Sequence, residues 1–380
     1  MILGIDCSRY AAEKPTGVET YTDRVVDGLI ARADQLGFQE VRLYVRSAPQ
    51  VEQLLYKIEK AGQKTIKVVL IERGKLWTLV WLSWEIIRNP IDVLFVPSHT
   101  LPILVPRYSV MTVHGLEALL FPQAYTVIQR LYQRFSIWWG KIQGTRFVAV
   151  SEAVKKDLIK FFAIEKSRIQ VVFNGFDRGP EKKPKGSEDA EMKPMIEGDY
   201  ILNVARLEER KNQLRLVQAF ESIAVEYSQL KLVLVGPDGM GAKAIHDLAE
   251  KSSVKDRIII PGYQHRETVQ GLMEHAQVFA YPSLAEGFGI PILEAFDAGV
   301  PVLTSKGSAM EEIGGEAAVY VDALSVESIV TGLKSLLSDK ALVKKNVLEG
   351  KQRIELFSWE HCVEGTVAVV KSFFVEKPST

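Results

Sequence analysis

Two glutamates, Glu286 and Glu294, bracket the turn Gly287-Phe288-Gly289-Ile290-Pro291. Pro291 suits a first helical position, the apolar periodicity runs on through Ala298, and Gly299 followed by Pro301 stops it, so the spacing predicts a helix opening at this turn. Glu286 then lies in the loop ahead of the helix and Glu294 about a turn inside it. Between them the backbone N–H groups of Gly287, Phe288, Gly289 and Ile290 fall at the positive end of the helix dipole, where an anion or a cluster of hydroxyls docks. Two carboxylates beside such a nest suit a ligand that is both charged and polyhydroxylated. A sugar nucleotide has both properties.

A second cluster, Arg206-Leu207-Glu208-Glu209-Arg210-Lys211-Asn212, follows the strand-like run Ile201 to Ala205. Asn212 is placed to N-cap a helix carrying Leu216, Val217 and Phe220. Arg206 and Lys211 then stand near a strand's carboxyl end and a helix N-terminus, where they would neutralise the charge of a departing diphosphate. The alternative is a pair of solvated surface cations, and their position in the strand-loop-helix pattern favours the site over it.

Strand-like and helix-like runs alternate throughout, which predicts an α/β protein of parallel sheets covered by helices on both faces. In the first half the strands are expected at Ile2 to Asp6, Val41 to Val45, Ile66 to Ile71, Val93 to Val96, Val110 to Val113, Phe147 to Val150 and Ile169 to Val172. Between the first two, Val18, Tyr21, Val25, Val26, Leu29 and Ile30 recur at helical spacing. The second half repeats the pattern at Ile201 to Ala205, Leu232 to Val235, Ile258 to Ile260, Val278 to Ala280, Val302 to Thr304 and Val319 to Val321. Between the halves, Lys, Glu, Pro and Gly replace apolar residues, as in a linker. The expected domains are 1–177 and 199–356, both doubly wound, with a linker at 178–198 and a final helical segment at 357–380. Ligands of open parallel sheets bind beyond the carboxyl ends of the strands, so two such domains facing each other would form a cleft.

At 380 residues two domains are the default. Forty-seven Lys and Arg balance forty-seven Asp and Glu, which gives no overall electrostatic case for nucleic acid. Cys7 and Cys362 are the two cysteines, a usage that fits a reducing compartment better than a disulfide scaffold. Met1 to Asp6 enters an apolar strand without a basic leader, so a cytoplasmic location is the simplest expectation. The longest apolar stretch, Leu76 to Ile87, carries Thr78, Ser83 and Glu85 and reads as a buried or half-buried helix.

The strings Asn203-Val204-Ala205-Arg206-Leu207-Glu208-Glu209-Arg210-Lys211-Asn212 and Glu286-Gly287-Phe288-Gly289-Ile290-Pro291-Ile292-Leu293-Glu294, with Ala298-Gly299-Val300-Pro301-Val302 behind them, resemble the retaining group 1, family 4 type glycosyltransferases of the GT-B fold. The resemblance extends to Val171-Val172-Phe173-Asn174-Gly175-Phe176-Asp177 and to Phe357-Ser358-Trp359, which is similar to the start of a last helix that crosses back onto the first domain. It implies two Rossmann-like domains across a cleft, the first on the acceptor side and the second binding the donor nucleotide.

The same resemblance implies roles. Glu286 would bind hydroxyls of the donor hexose with the amides of Phe288 and Gly289, flanked by Gly287 and Ile290. Glu294 would hold the ribose hydroxyls, and Arg206 with Lys211 the diphosphate. His114, in Thr112-Val113-His114-Gly115, is similar to a first-domain histidine near the transferred sugar, although a lone histidine is as readily a satisfied cleft or core side chain. Gly17, in Pro15-Thr16-Gly17-Val18, would let backbone approach the phosphates or acceptor, or would merely serve a turn. Pro261-Gly262-Tyr263 resembles the region receiving the base, where Tyr263 would stack or simply pack; His99 is a weaker acceptor contact.

Transfer with retention and attack on the face of the departing diphosphate is implied, with no dedicated carboxylate base. No Asp-x-Asp motif stands at a comparable strand end, so neither metal nor cofactor is expected. Pro15-Thr16-Gly17-Val18, His114-Gly115-Leu116-Glu117 and Phe121-Pro122 resemble mannosyl-transferring members, which favours GDP-mannose over UDP-glucose or another UDP-sugar. The acceptor would be a saccharide or a lipid-linked saccharide, as in polysaccharide biosynthesis. Trp77, Trp81 and Trp84, with the basic and aromatic residues Arg130, Tyr132, Arg134, Phe135, Trp138, Trp139, Lys141 and Arg146, suggest peripheral contact with the inner face of a membrane, or else core packing of the tryptophans. A nucleotide-sugar epimerase of the same architecture and a non-catalytic nucleotide-sugar-binding protein are the alternatives.

Overall fold

The computed structural model describes residues 1–12, 16–72, 74, 76–179 and 196–374. The chain divides into two compact units. Of the described residues, the first takes those of Met1–Leu119, Val127–Gly175 and 357–374, and the second takes Leu120–Thr126 and those of Phe176–Leu356. Most of the linker expected at 178–198 lies outside the described residues, as does Pro15.

In the first unit seven parallel strands form one sheet: β1 (Ile2–Asp6), β2 (Glu40–Val45), β3 (Ile66–Leu70), β4 (Val93–Val96), β5 (Tyr108–Val113), β6 (Arg146–Ala149) and β7 (Ile169–Val171). Their order, β3-β2-β1-β4-β5-β6-β7, reverses between β1 and β4. The central strands are apolar on both faces because helices cover both: Leu3, Ile5, Val93, Phe95, Val110 and Val148 are all fully buried. The helix Gly17–Ala31 buries Tyr21, Val25, Val26, Leu29 and Ile30, the periodic set read from sequence, while Val18 is half-buried at its first turn. The last helix, Trp359–Lys371, packs on it, and Cys362, Val369, Val370 and Phe373 join the core of this unit. Gly28 permits that packing, since a Cβ there would lie 2.4 Å from Val363 Cγ2.

The second unit holds six parallel strands, β8 (Tyr200–Val204), β9 (Lys231–Val235), β10 (Ile258–Gly262), β11 (Val278–Tyr281), β12 (Val302–Ser305) and β13 (Ala318–Val321), in the order β10-β9-β8-β11-β12-β13. The reversal here falls between β8 and β11, and beyond such a switch point the loops diverge and leave a crevice. Each strand lies within two residues of its expected ends.

One stretch departs from expectation. Leu76 takes a left-handed conformation (φ 61°), and Trp77–Leu82 form a π-helical turn that runs into the α-helix Ser83–Arg88. The wider turn separates the tryptophans: Trp77 is buried and donates Nε1–H to Ile71 O at 2.9 Å, whereas Trp84 is exposed.

Candidate functional site

In the second unit Glu286 hangs from the loop that leaves β11, and residues 205–212 form the loop that leaves β8. These adjacent loops are bound together by Leu284 N–H donating to Arg210 O (2.8 Å) and by the Asn212 amide donating to Pro282 O (2.9 Å) and Ala323 O (2.7 Å). Asn212 therefore stands at the N-cap position of the helix Gln213–Ile223 without capping it. Its left-handed backbone (φ 63°) leaves the side chain to satisfy two carbonyls of neighbouring loops, which corrects the capping role read from sequence.

A short 3-10 turn, Glu209–Lys211, sends two consecutive cations onto one carboxylate. Lys211 Nζ donates to Glu286 Oε1 at 2.6 Å, and Arg210 Nη1 donates to Glu286 Oε2 at 3.0 Å. Tyr281 OH accepts from Lys211 Nζ at 2.8 Å and donates to Glu286 Oε1 at 3.0 Å. Arg210 is fixed in turn by Glu208 Oε1 (2.7 Å) and Ala285 O (3.0 Å). Burial on its own would raise the Glu286 carboxyl, but the charges of Lys211 and Arg210 outweigh it and bring the group down to about 2. Burial pulls Lys211 down and the Glu286 charge more than reverses this, so the ammonium is held above its ordinary range. The two cations thus favour the ionised form of Glu286, which accepts hydrogen bonds.

The helix behind Glu286 begins at Ile290, with Pro291 in its first turn, and ends at Ala298 with Gly299 in the left-handed cap (φ 76°). Gly289 precedes it at φ 120°, a backbone that excludes ordinary L side chains and lets the chain enter the helix directly from the loop. Phe288 is buried beside it. Glu294 is partly buried on this helix, and burial raises its carboxyl while Arg266 partly offsets that. It lines a cavity of about 430 Å³ with Arg266, Gln270, Asp297, Arg178 and Lys351.

Arg206 is not among the groups that hydrogen-bond Glu286. It is exposed, and its aliphatic stem crosses Gly239, where a Cβ would come within 2.8 Å of it. Gly262 ends β10 in the left-handed region (φ 73°). Tyr263 beyond it is 66% exposed and its ring meets His265 edge-on, so it is not a core side chain.

In the first unit His99 and His114 follow β4 and β5, two adjacent strands. His114 Nε2 donates to Pro97 O (2.9 Å), and the ring meets Tyr21 edge-on with centroids 4.7 Å apart. Burial brings His114 down to about 4; the Pro97 carbonyl opposes this, Arg9 adds to it, and Glu19 partly offsets it. His99 also falls to about 4, by burial and then by the neighbouring His114, and its buried Nδ1 makes no hydrogen bond among the described residues. Gly17 is the first residue of its helix and has no positive φ, and a Cβ there would meet nothing within 4 Å. Turn geometry therefore does not demand glycine at this position.

Sequence reasoning missed Arg210, Tyr281 and Glu208. Arg210 stood beside the chosen lysine, but neighbouring residues rarely converge on one group, and only the 3-10 turn makes them do so. Among the described residues no group of three His, Cys, Asp or Glu is placed to hold a metal.

Residues 188–353 match the family profile of Glycosyl transferases group 1, and residues 15–179 match that of Glycosyltransferase Family 4. O-antigen chain mannosyltransferase B of Escherichia coli is 27% identical over 282 residues, 72% of this chain and 73% of that protein. O-antigen chain mannosyltransferase RfbU of Salmonella typhimurium is 24% identical over 291 residues, 73% of this chain and 78% of that one. In fold the chain is similar to WaaG, a glycosyltransferase involved in lipopolysaccharide biosynthesis, with a TM-score of 0.69 at 17% identity over 98% of this chain and 100% of WaaG. The chain is a glycosyltransferase of the GT-B fold, with a Family 4 domain at 15–179 and a group 1 domain at 188–353.

Proposed function

We propose that this glycosyltransferase moves mannose from GDP-mannose, with retention and without a metal ion, to a saccharide or lipid-linked saccharide, in peripheral contact with a membrane. The observation that carries the chemistry is the ionised Glu286 gripped by Lys211 and Arg210 at the β8/β11 switch point. A carboxylate with so low an affinity for protons is suited to accept hydrogen bonds from hexose hydroxyls, with the amides of Phe288 and Gly289 beside it, and unsuited to general acid catalysis. Glu294 takes the ribose hydroxyls. Lys211 and Arg206 take the diphosphate, and Tyr263, exposed past β10, takes the base with Gly262.

The C–O bond to the diphosphate breaks while the acceptor oxygen attacks the same face, and a phosphate oxygen receives the acceptor proton. In this reading Gly17 serves the phosphates or the acceptor, His99 the acceptor and His114 the transferred sugar. Sequence likeness to two O-antigen mannosyltransferases supports mannose as the cargo.

Incubation with GDP-mannose and a saccharide acceptor panel tests this. Product with retained anomeric configuration, formed equally in excess chelator, is expected. Loss of transfer in chelator with recovery in magnesium or manganese overturns metal independence. Thermal stabilisation by UDP-glucose and not by GDP-mannose overturns the donor. A converted sugar nucleotide in the absence of acceptor replaces transfer by epimerisation.

A further inference from the structure

The first unit carries an apolar surface that its own core does not use. Along the helix Val127–Ile142, the residues Ile128, Leu131, Phe135, Trp138 and Ile142 recur at intervals of three and four and are all exposed, Ile128 by 80% and Trp138 by 48%. The opposite face of the same helix holds the buried Gln133, Ser136, Ile137 and Gly140. The polarity is inverted from that of a helix that merely covers a sheet, since its large aromatic and aliphatic side chains point outward.

A second exposed row, Val80, Trp84 and Ile87, lies on the π-helical turn and the helix Ser83–Arg88. The segment 101–104 joins the two rows. Ile103 N–H donates to Leu79 O (3.2 Å) and Leu104 N–H to Ser83 Oγ (3.1 Å) on one side. Leu101 N–H donates to Ser136 Oγ (3.3 Å), and Trp139 Nε1–H donates to Pro102 O (3.2 Å), on the other. Ile103 and Leu104 are themselves about half exposed, so the apolar residues run across all three segments.

Charge selects the occupant. Residues 76–88, 101–107 and 127–142 carry Arg88, Arg107, Arg130, Arg134 and Lys141 against the single acid Glu85. The guanidinium of Arg88 lies over the Trp84 ring at 5.6 Å, a basic group beside an exposed indole. A second copy of the chain would bring the same cations against these, which disfavours self-association through this face. A bilayer with anionic headgroups complements both properties, because tryptophan, leucine and isoleucine enter the headgroup boundary while arginine and lysine stay at the phosphates. Among the described residues no helix is long and apolar enough to cross a membrane, so a surface contact is the form this takes.

We infer that the exposed rows of 128–142 and 80–87, joined at Ile103 and Leu104, dock the protein onto an anionic lipid surface. The surface deepens and rests on the peripheral contact proposed above, and stands apart from the chemistry of sugar transfer. Flotation of the full chain with phosphatidylglycerol-containing vesicles and with pure phosphatidylcholine vesicles, at low and high salt, tests it. Co-flotation with the anionic vesicles that weakens in salt is expected, as is a loss of at least about tenfold in bound fraction for Trp84→Glu/Trp138→Glu.

Because the double variant risks misfolding, Arg134→Glu/Lys141→Glu is run beside it. Both variants must keep the wild-type melting curve and circular dichroism, and the charge variant is expected to lose anionic binding as well. If wild type fails to float, peripheral contact itself fails. If wild type floats and folded variants float equally, this surface is wrong while contact elsewhere stands. If the variants change only self-association, the face is a dimer contact and the inference is overturned. Transfer to a soluble acceptor is expected to be unchanged in both variants, so loss of transfer in wild type would count against the glycosyltransferase reading and not against this surface.

Discussion

Lys211 Nζ and Glu286 Oε1 lie 2.6 Å apart, and Arg210 holds the other oxygen of the same carboxylate. Under the proposed function Lys211 would serve the diphosphate as well as Glu286, and Arg210 would hold the carboxylate while the lysine is shared. Lys211→Ala is expected to raise the donor KM with a smaller effect on kcat, and Glu286→Ala to lower kcat with the intact donor. Arg210→Met is expected to lower stability by about 3 kcal/mol or more, because Glu208 and Glu286 lose a buried partner. Steady-state kinetics and urea unfolding check these. Unchanged kinetics in the first two variants would remove the site.

Acid sensitivity follows from three groups. His99 and His114 have an ordinary pKa near 6.5 and about 4 when folded, so they favour folding above 6.5 and that contribution is lost as pH falls from 6.5 through 4. Glu286, ordinarily near 4.5 and about 2 when folded, favours folding above 4.5 and loses its contribution between 4.5 and 2. Urea midpoints measured against pH are expected to fall in two stages. His114→Gln should flatten the upper stage and leave the lower one, and a variant curve parallel to wild type through both would contradict the assignment.

The sheets were legible because their strands are short apolar runs between turn residues, and such runs have few other destinations in an alternating α/β chain. Glu286 and Lys211 were legible because each follows a strand at the end where such folds bind ligands. Arg210 and Tyr281 were not, since β8 and β11 become neighbours only through the sheet order, across residues far apart in sequence. The outward face of the helix Val127–Ile142 was half legible: its aromatic and basic composition showed, but which side faced the core depended on tertiary packing. The αL residue Leu76, which sets the π-turn and divides Trp77 from Trp84, left no signal, because a leucine there is an exception to backbone preference.

Glu294 lines a cavity with Arg266, and neutralising it separates a ribose-binding role from a packing one. Glu294→Gln keeps the shape and loses the anion that accepts hydrogen bonds from a diol. The donor KM is expected to rise about tenfold, a loss near 1.4 kcal/mol, with the melting temperature unchanged or raised because burial already disfavours the charge. A large fall in melting temperature with unchanged donor KM would assign the residue to the fold.

Two glycines give opposite expectations from the same substitution. Gly289 lies at φ 120°, so Gly289→Ala must either strain the backbone or shift the turn that carries Glu286, at a cost of roughly 1–3 kcal/mol. Gly17 opens a helix in ordinary geometry with open space beyond its Cα, so Gly17→Ala is expected to be neutral or stabilising by up to about 1 kcal/mol. Measured together, thermal melting and acceptor kinetics distinguish turn from ligand approach. A Gly17→Ala protein that melts like wild type but transfers sugar poorly would place a ligand against that backbone, and one that does both normally would leave Gly17 without a functional role.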